Sequence, residues 1–448
     1  MSAATTARAV RRADGVDKVR ALQRVLYRSA KQDPTRRFHA LHDHVARSDV
    51  LWRAWVDVST NRGAPGVDGV SIDAIAESGV AGVRAFLDAL AAELRAGSYR
   101  PQPLRRVHIP KPGKPGATRP LGIPTVRDRV AMAAAKIVLE PIFEADFAPS
   151  SFGFRPKRSA HMAIEAVRVE ANRGADWVLD ADIAACFDHI DHDRLMALLA
   201  RRVADRSMFK LLRSWLRAGV FEGGVVSEVN SGTPQGSPIS PLLANVALHR
   251  LDEAWRSGGR RLGVLIRYAD DFVVVCPTRQ RAEEGQRRAA DALAPLGLQL
   301  NPEKTRIVCL TRGAEGFDFL GFHCHKVESW RWKGRWYLQR WPSARAMNGI
   351  RAKVRAGTDR RFAGVHLSIV VGHLNPVLRG WGNYFRAGNS ARKFSQVDSY
   401  VHERLAILAS TKYALSGRNW ATRFDGPWFR RLGVYTLTGT VRHGTAHA

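Results

Sequence analysis

Two aspartates stand side by side in Val264-Leu265-Ile266-Arg267-Tyr268-Ala269-Asp270-Asp271-Phe272-Val273-Val274-Val275. Adjacent carboxylates repel each other and are hard to desolvate together. A hard divalent cation with oxygen ligands relieves both problems. A lone Asp-Asp pair in a loop is more often a solvated acidic turn. Here both flanks are apolar and β-branched, which puts the pair on a buried hairpin and favours a site. A second acidic strand end follows the same logic. In Val178-Leu179-Asp180-Ala181-Asp182-Ile183-Ala184-Ala185-Cys186-Phe187-Asp188, an apolar strand delivers Asp182 just before Phe187. Asp180 shares its face by period-two alternation, and Asp180, Asp182 and Asp188 compete for the role. If both elements pair within one sheet, Asp182 lies beside Asp270. That arrangement suits nucleotidyl transfer, in which two ions about 3.5–4 Å apart share carboxylates. One activates an attacking 3′-hydroxyl and the other clamps a triphosphate and its leaving pyrophosphate.

The elements around these acids alternate strand and helix. Strands are predicted at Trp177–Ile183, Val264–Tyr268, Phe272–Cys276 and Phe317–His323, with Leu298–Leu300 and Thr305–Val308 as a further pair. Helices are predicted at Leu195–Val203, Met208–Leu216, from Pro241 to Asp252 and at Glu283–Leu293. Upstream, Asn61–Gly69 reads as a turn-rich loop and 81–95 as a helix. Strands at Leu104–Ile109 and Leu121–Ile123 flank a basic reversing loop, Lys111–Gly116, and an Ala- and Leu-rich helix runs from Ala131 to Phe147. From about Pro342 the pattern turns helical: Phe394, Val397, Val401, Leu405 and Leu408 recur at steps of three and four.

Composition narrows the partners. The 448 residues carry 70 Lys+Arg against 41 Asp+Glu, a formal charge of +29. An excess of this size repels itself unless a polyanion shares the surface, so nucleic acid is the expected partner. The four cysteines, Cys186, Cys276, Cys309 and Cys324, form no C-x-x-C pair. That spacing argues against a zinc module or a disulfide framework and fits a reducing cytoplasm. No apolar run reaches transmembrane length, so no membrane partner is expected.

At this point the chain resembles the reverse transcriptases (maturases) encoded by group II introns, over most of its length from about Asn61 to about Leu408. The family's segments occur in order: Asn61–Gly69, then Tyr99–Pro112 with the return strand Arg119-Pro120-Leu121-Gly122-Ile123-Pro124. Ser151-Phe152-Gly153-Phe154-Arg155-Pro156 follows, then Asp182-Ile183 with Phe187-Asp188. Thr233-Pro234-Gln235-Gly236-Ser237-Pro238, Ser240–Asn245 and Tyr268-Ala269-Asp270-Asp271 come next. Leu298–Thr305, Phe319-Leu320-Gly321-Phe322 and Asn375–Phe385 complete the set. Any one string is weak; the ordered set is specific.

The resemblance implies an α+β right-hand polymerase fold of fingers and palm, followed by an α-helical thumb. The expected boundaries are a basic helical extension over 1–60, fingers over 61–180, palm over 181–325, thumb over 326–410 and a tail over 411–448. The implied activity is RNA-directed DNA synthesis, with binding of a group II intron RNA to assist splicing and mobility. Asp182, Asp270 and Asp271 fall at the metal-ligand positions, with the Ile183 carbonyl as a further ligand, for two Mg²⁺ ions or Mn²⁺ in their place. Phe187 falls where the family blocks a ribose 2′-hydroxyl, although it also reads as core packing. Lys111 and Arg119, with Arg105 as a weaker candidate, fall where cations grip the triphosphate. Gln235 and Gly236 fall in the nucleotide and template pocket. Lys304 is a candidate for assisting pyrophosphate departure, although it reads more plainly as a surface Lys before a strand. Arg379, Trp381, Tyr384 and Arg386 are candidates for contacting nucleic acid from the thumb, with thumb core the equal reading for Trp381. The implied partners are an RNA template, a DNA or RNA primer, dNTPs and intron RNA. Arg8, Arg11 and Arg12 would extend the grip on RNA or form a weakly binding basic tail.

Many family members add a C-terminal endonuclease with zinc-binding cysteines. The tail after Arg418 has no cysteine, so target nicking by this chain is not expected, nor is there an RNase H pattern of acids after the thumb. Three alternatives stand beside this reading. A stand-alone reverse transcriptase in antiviral defence or repair keeps the chemistry. An RNA-dependent RNA polymerase shares the paired Asp but needs room where Phe187 stands. A non-catalytic RNA-binding splicing factor need not keep all three acids.

Overall fold

The computed structural model describes residues 17–110, 116–227, 231–233, 236–311, 315–415 and 423–442. Lys111, Gln235 and the arginines at 8, 11 and 12 lie outside them.

A helix apolar on every side must be buried on every side. Val126–Glu144 is such a helix: Thr125 caps it by accepting from the Asp128 amide, and all but a few of its side chains are buried. The helices Lys18–Gln32 (α1), Leu41–Val45 (α2) and Ser48–Thr60 (α3) pack against it. Residues 18–60 therefore pack into the same core as this helix. After Ile72–Glu77 (α4) and Gly79–Ala96 (α5), the strands Leu104–Pro110 (β1) and Thr118–Ile123 (β2) pair antiparallel. The buried helix is α6. The short strands Val220–Glu222 (β4) and Val225–Ser227 (β5) complete a sheet of order β2-β1-β4-β5.

The palm sheet has the order β6-β7-β3-β8, formed by Val264–Tyr268, Asp271–Cys276, Trp177–Asp182 and Arg306–Cys309. The palm thus begins at Trp177, a few residues before the expected boundary. Alternation along its strands feeds two cores. Leu179, Ala181, Phe272, Val274 and Cys276 join the fingers helices on one face. Val178, Ile266, Val273 and Val275 join the other core, which runs through Phe322 and Cys324 into the C-terminal helices. Asp182 and Asp271 share this second face with Val178, Val273 and Val275.

The helices Ala160–Asn172 (α7), Cys186–His189 (α8), His192–Ala200 (α9), Arg206–Leu216 (α10), Ser240–Ala254 (α11) and Arg279–Leu293 (α12) cover the sheets. Only one member of the strand pair expected near residue 300 forms. Arg306–Cys309 is a strand, whereas Leu300 makes a single bridge to Ile183. The expected strand at 317–323 is two strands, Phe317–Phe319 (β9) and Phe322–Glu328 (β10), because Leu320 and Gly321 both take positive φ and reverse the chain.

Residues 326–342 are not helical. β10 pairs with Trp336–Pro342 (β11), and with β9 they form a three-stranded sheet ahead of the thumb. The helical thumb comprises Ala344–Gly357 (α13), Leu367–Phe385 (α14) and Ala391–Lys412 (α15). The described part of the tail folds back on it. Gly426–Arg431 (α16) buries Phe429, and Asp398 accepts from the amides of Leu437 and Thr438.

Among the described residues no helix is long and apolar enough to cross a membrane. The four cysteines are free thiols, three of them buried.

Candidate active site

Strand register decides which acids meet. β3 and β7 run antiparallel with Asp182 directly opposite Asp271, a pairing that places Cα atoms roughly 4.5–5.5 Å apart. β6 and β7 form a hairpin closed by Tyr268 and Asp271, which leaves Ala269 and Asp270 as its two-residue turn. Ala269 has φ 59°, a left-handed value that alanine takes only when its surroundings hold it there.

Those surroundings are a buried polar clamp behind the turn. Arg267 is fully buried and donates twice to Asp252 on α11, at 2.9 and 2.5 Å. Its Nη1 also donates to the Ala269 carbonyl at 2.9 Å and to Asn245 Oδ1 at 3.1 Å. Asn245 in turn donates to the Gly153 carbonyl at 2.8 Å. A Cβ at Gly153 would collide with the Ala269 nitrogen and the Tyr268 carbonyl carbon, so only glycine lets this segment lie against the turn. Burial alone would raise the Asp252 carboxyl; the Arg267 charge and hydrogen bonds overcome it and hold the group below its ordinary range.

The acids themselves are poorly neutralised. Burial, reinforced by repulsion from Asp180, Asp270 and Asp182, pushes the Asp271 carboxyl up to about 8. Burial also raises Asp270, partly offset by Arg119 and Lys304. Asp180 rises to about 6, again through burial, although Arg306 pairs with it at 3.1 Å. Lys304 Nζ holds Asp182 Oδ2 at 2.7 Å. With that ammonium on one acid, no three carboxylate, imidazole or thiolate groups converge on a preformed metal site among the described residues. The donor set nevertheless fits a divalent ion: buried carboxylates in mutual repulsion, carrying raised affinity for a proton that a cation would replace.

A carboxyl whose folded pKa lies above its unfolded value stabilises the fold in its protonated form. That contribution is present below the ordinary carboxylate range and is lost as pH climbs through about 8. Metal binding needs the deprotonated acids and releases the protons. The thermal midpoint of the metal-free protein is therefore expected to fall between pH 6 and pH 8, and Mg²⁺ to raise it more at pH 8 than at pH 6. Melting curves with and without Mg²⁺ check this; an Mg²⁺ effect independent of pH would exclude it.

The other expected residues divide into those near the acids and those engaged elsewhere. The bridge from Ile183 to Leu300 is made through the Asp182 carbonyl and the Ala184 amide, so it does not use the Ile183 carbonyl. Phe187 is half-buried against the fingers-side core and lines a cavity of about 330 Å³ with Arg106, Gly122, Trp215 and Gly232. Gly236, at φ 114°, passes so close to β2 that a Cβ would stand 2.6 Å from the Gly122 carbonyl. Arg119 is exposed on β2 and its charge reaches Asp270. Arg105 instead spends two donors on the Pro65 carbonyl at 3.0 and 2.7 Å, tying the 61–69 loop to the fingers hairpin.

On the thumb, Trp381 packs between Phe385 and Phe394, and Tyr384 donates to the Leu320 carbonyl at 2.9 Å. Trp381 thus packs within the thumb, and Tyr384 ties the thumb to the Phe319–Phe322 turn; both rings are half-buried. Arg379 is exposed, with its guanidinium 5.1 Å from the Tyr435 ring. Arg386 is half-buried where α14 ends.

Arg267, Asp252, Asn245 and Gly153 were not singled out from sequence as functional. A signal existed: a charged residue inside the apolar run Val264–Tyr268, and two polar residues seven apart on an otherwise apolar helix face.

The pattern described as reverse transcriptase (RNA-dependent DNA polymerase) matches residues 109–324, and that of the group II intron maturase-specific domain matches residues 347–424. Protein YkfC of Escherichia coli K12 is 35% identical over 339 residues, covering 67% of this chain and 86% of that protein. The group II intron-encoded protein LtrA of Lactococcus lactis is 38% identical over 218 residues, 48% of this chain but only 35% of LtrA. The mitochondrial nuclear intron maturase 1 of Arabidopsis thaliana is 37% identical over 94 residues, 21% of this chain and 13% of that protein. Paired strands that set acids opposite one another, followed by a helical domain matching the maturase pattern, place the chain in the family of group II intron reverse transcriptase–maturases.

Proposed function

We propose that this chain extends a DNA or RNA primer with dNTPs on an RNA template by two-Mg²⁺ catalysis, with Mn²⁺ as a substitute. We also propose that it binds a group II intron RNA to assist splicing and mobility. The observation that carries the polymerase reading is the register of Asp182 against Asp271, with Asp270 in the adjoining turn. The carboxylates of Asp182, Asp270 and Asp271, with the Ile183 carbonyl, would hold the ions. Bound there, the ions supply activation of the 3′-hydroxyl and charge stabilisation on the triphosphate. Lys304 shields Asp182 until then and is afterwards free to turn toward the departing pyrophosphate. Arg119 and Lys111 grip the triphosphate, while Gly236 and Gln235 bound the pocket. Arg379 and Arg386 give the thumb its phosphate contacts, Trp381 holds α14 against α15, and Tyr384 ties α14 to the Leu320 turn. The proposed cytoplasmic site of action rests on the free cysteines.

The test is extension of a primed RNA template by the purified chain with dNTPs, and separately with NTPs, in Mg²⁺. Extension with dNTPs alone is expected; none under either condition would overturn the polymerase reading. Phe187→Ala is expected to admit NTPs by opening space beside C2′. Unchanged sugar discrimination in that variant would return Phe187 to plain packing.

A further inference from the structure

The hairpin between β10 and β11 ends in Ser329-Trp330-Arg331-Trp332-Lys333-Gly334-Arg335, three cations and two tryptophans without an acid. A loop of this composition collapses its rings onto the nearest apolar surface unless something holds them out. Here the turn is held. Ser329 Oγ accepts from the amides of Arg331 and Trp332 at 3.2 and 3.1 Å, and Glu328 accepts from the Gly334 amide at 2.6 Å. The Ser329 amide donates to the Arg335 carbonyl at 2.8 Å. Trp332 is flanked by Arg331 and Arg335, whose guanidinium carbons stand 5.2 and 5.6 Å from its ring. Trp330 is 94% exposed and has no ring partner among the described residues. An ordered turn that presents a bare indole beside three cations matches what unpaired nucleotides require: a flat face for the base and positive charge for its phosphates.

Its place in the fold separates it from the catalytic cleft. Lys326 anchors β10 to Asp176, just before β3, through an ion pair at 2.5 Å. Asp182 ends β3 six residues further on, roughly 20 Å away at about 3.3 Å per residue. The tip projects beyond the Asp176 end, so it is not positioned to hold a primer terminus. We propose that this tip is a second RNA-binding site, at which Trp330 stacks on unpaired bases of a loop or bulge in a structured RNA while Arg331, Lys333 and Arg335 meet its phosphates. This rests on the reading of the chain as an RNA-handling polymerase.

The test uses the full chain, Trp330→Ala and Trp330→Phe. Affinity is measured for a stem–loop RNA, for the same stem as a blunt duplex, and for phosphatidylserine/phosphatidylcholine vesicles, alongside primer extension on a short unstructured template. Trp330→Ala is expected to weaken stem–loop binding by roughly 5- to 150-fold, the loss of one stacked base. Trp330→Phe should keep most of it, and duplex binding, short-template extension and melting temperature should not change. Equal stem–loop affinity in Trp330→Ala and the parent would overturn the proposal. So would a Trp330-dependent affinity for vesicles without one for the stem–loop, or loss of short-template extension, which would put Trp330 in the primer cleft. A parent chain that neither extends a primer nor binds any of the RNAs would instead sink the polymerase reading.

Discussion

Asp270→Ala and Asp182→Ala are each expected to reduce RNA-templated primer extension by on the order of 10³-fold or more, with RNA affinity largely intact. The two quantities separate because they have different sources. Metal ligands act on the barrier, where several kcal/mol of charge stabilisation are at stake and about 1.4 kcal/mol is a factor of ten. Affinity comes from phosphate contacts with a surface of formal charge +29. A second readout distinguishes a site from a structural acid. Burial raises both Asp270 and Asp271, and the Asp270 charge adds to the rise of Asp271, so removing Asp270 relieves its neighbour. The metal-free Asp270→Ala variant should therefore melt no lower than the parent, and its response to Mg²⁺ should shrink. Single-turnover extension, filter binding and melting curves on one preparation measure all three. Retained DNA synthesis in either variant would remove the assignment.

The second large effect belongs to residues that touch no substrate. Asp252→Ala is expected to destabilise the protein by roughly 3–5 kcal/mol, because it strands a fully buried guanidinium. The Arg267 guanidinium would lose two of its four hydrogen bonds, the two to Asp252. Replacing both partners, as in Asp252→Leu with Arg267→Met, removes the stranded charge and should recover much of the stability. It should not recover the turn, since Ala269 would lose the donor on its carbonyl. The double variant is thus expected to fold but to need more Mg²⁺ for half-maximal extension than the parent. Urea denaturation and an Mg²⁺ titration of extension check the pair. A double variant that folds and matches the parent's Mg²⁺ requirement would leave the clamp with a structural role only.

The hairpin carrying Asp270 and the strand ending in Asp182 were legible because apolar alternation and acid position are local properties of the chain. That the two elements are neighbours was an inference from chemistry and resemblance; the register that sets Asp182 opposite Asp271 is a long-range fact. The clamp was harder to see. Gly153, Asn245, Asp252 and Arg267 come from three separate segments, and each has an ordinary local explanation. Trp381 and Tyr384 show where local sequence leaves two readings open. Aromatic residues beside arginines read equally as a binding face or as thumb core, and which rings pack where is set by tertiary contacts: Trp381 lies on Phe385 and Phe394, Tyr384 on Phe322 and Phe385. The strands after Lys326 were missed because basic and aromatic residues in alternation, as in Trp336–Pro342, carry a weak apolar signal.

The palm sheet wears a core on each face, and this sets an order on the ribosome. The fingers-side face, with Leu179, Phe272 and Val274, closes against α12, made directly after β7. The other face, with Val178, Ile266, Val273 and Val275, closes against α7, whose Ala163, Ile164 and Val167 are made before β3. At roughly 5–20 residues per second, α12 follows Cys276 within a few seconds, so neither apolar face stays open for long. What waits for the thumb is the far end of the second core, where Phe322 meets Phe385, so the catalytic sheet can be sheltered from self-association before the thumb helices are made.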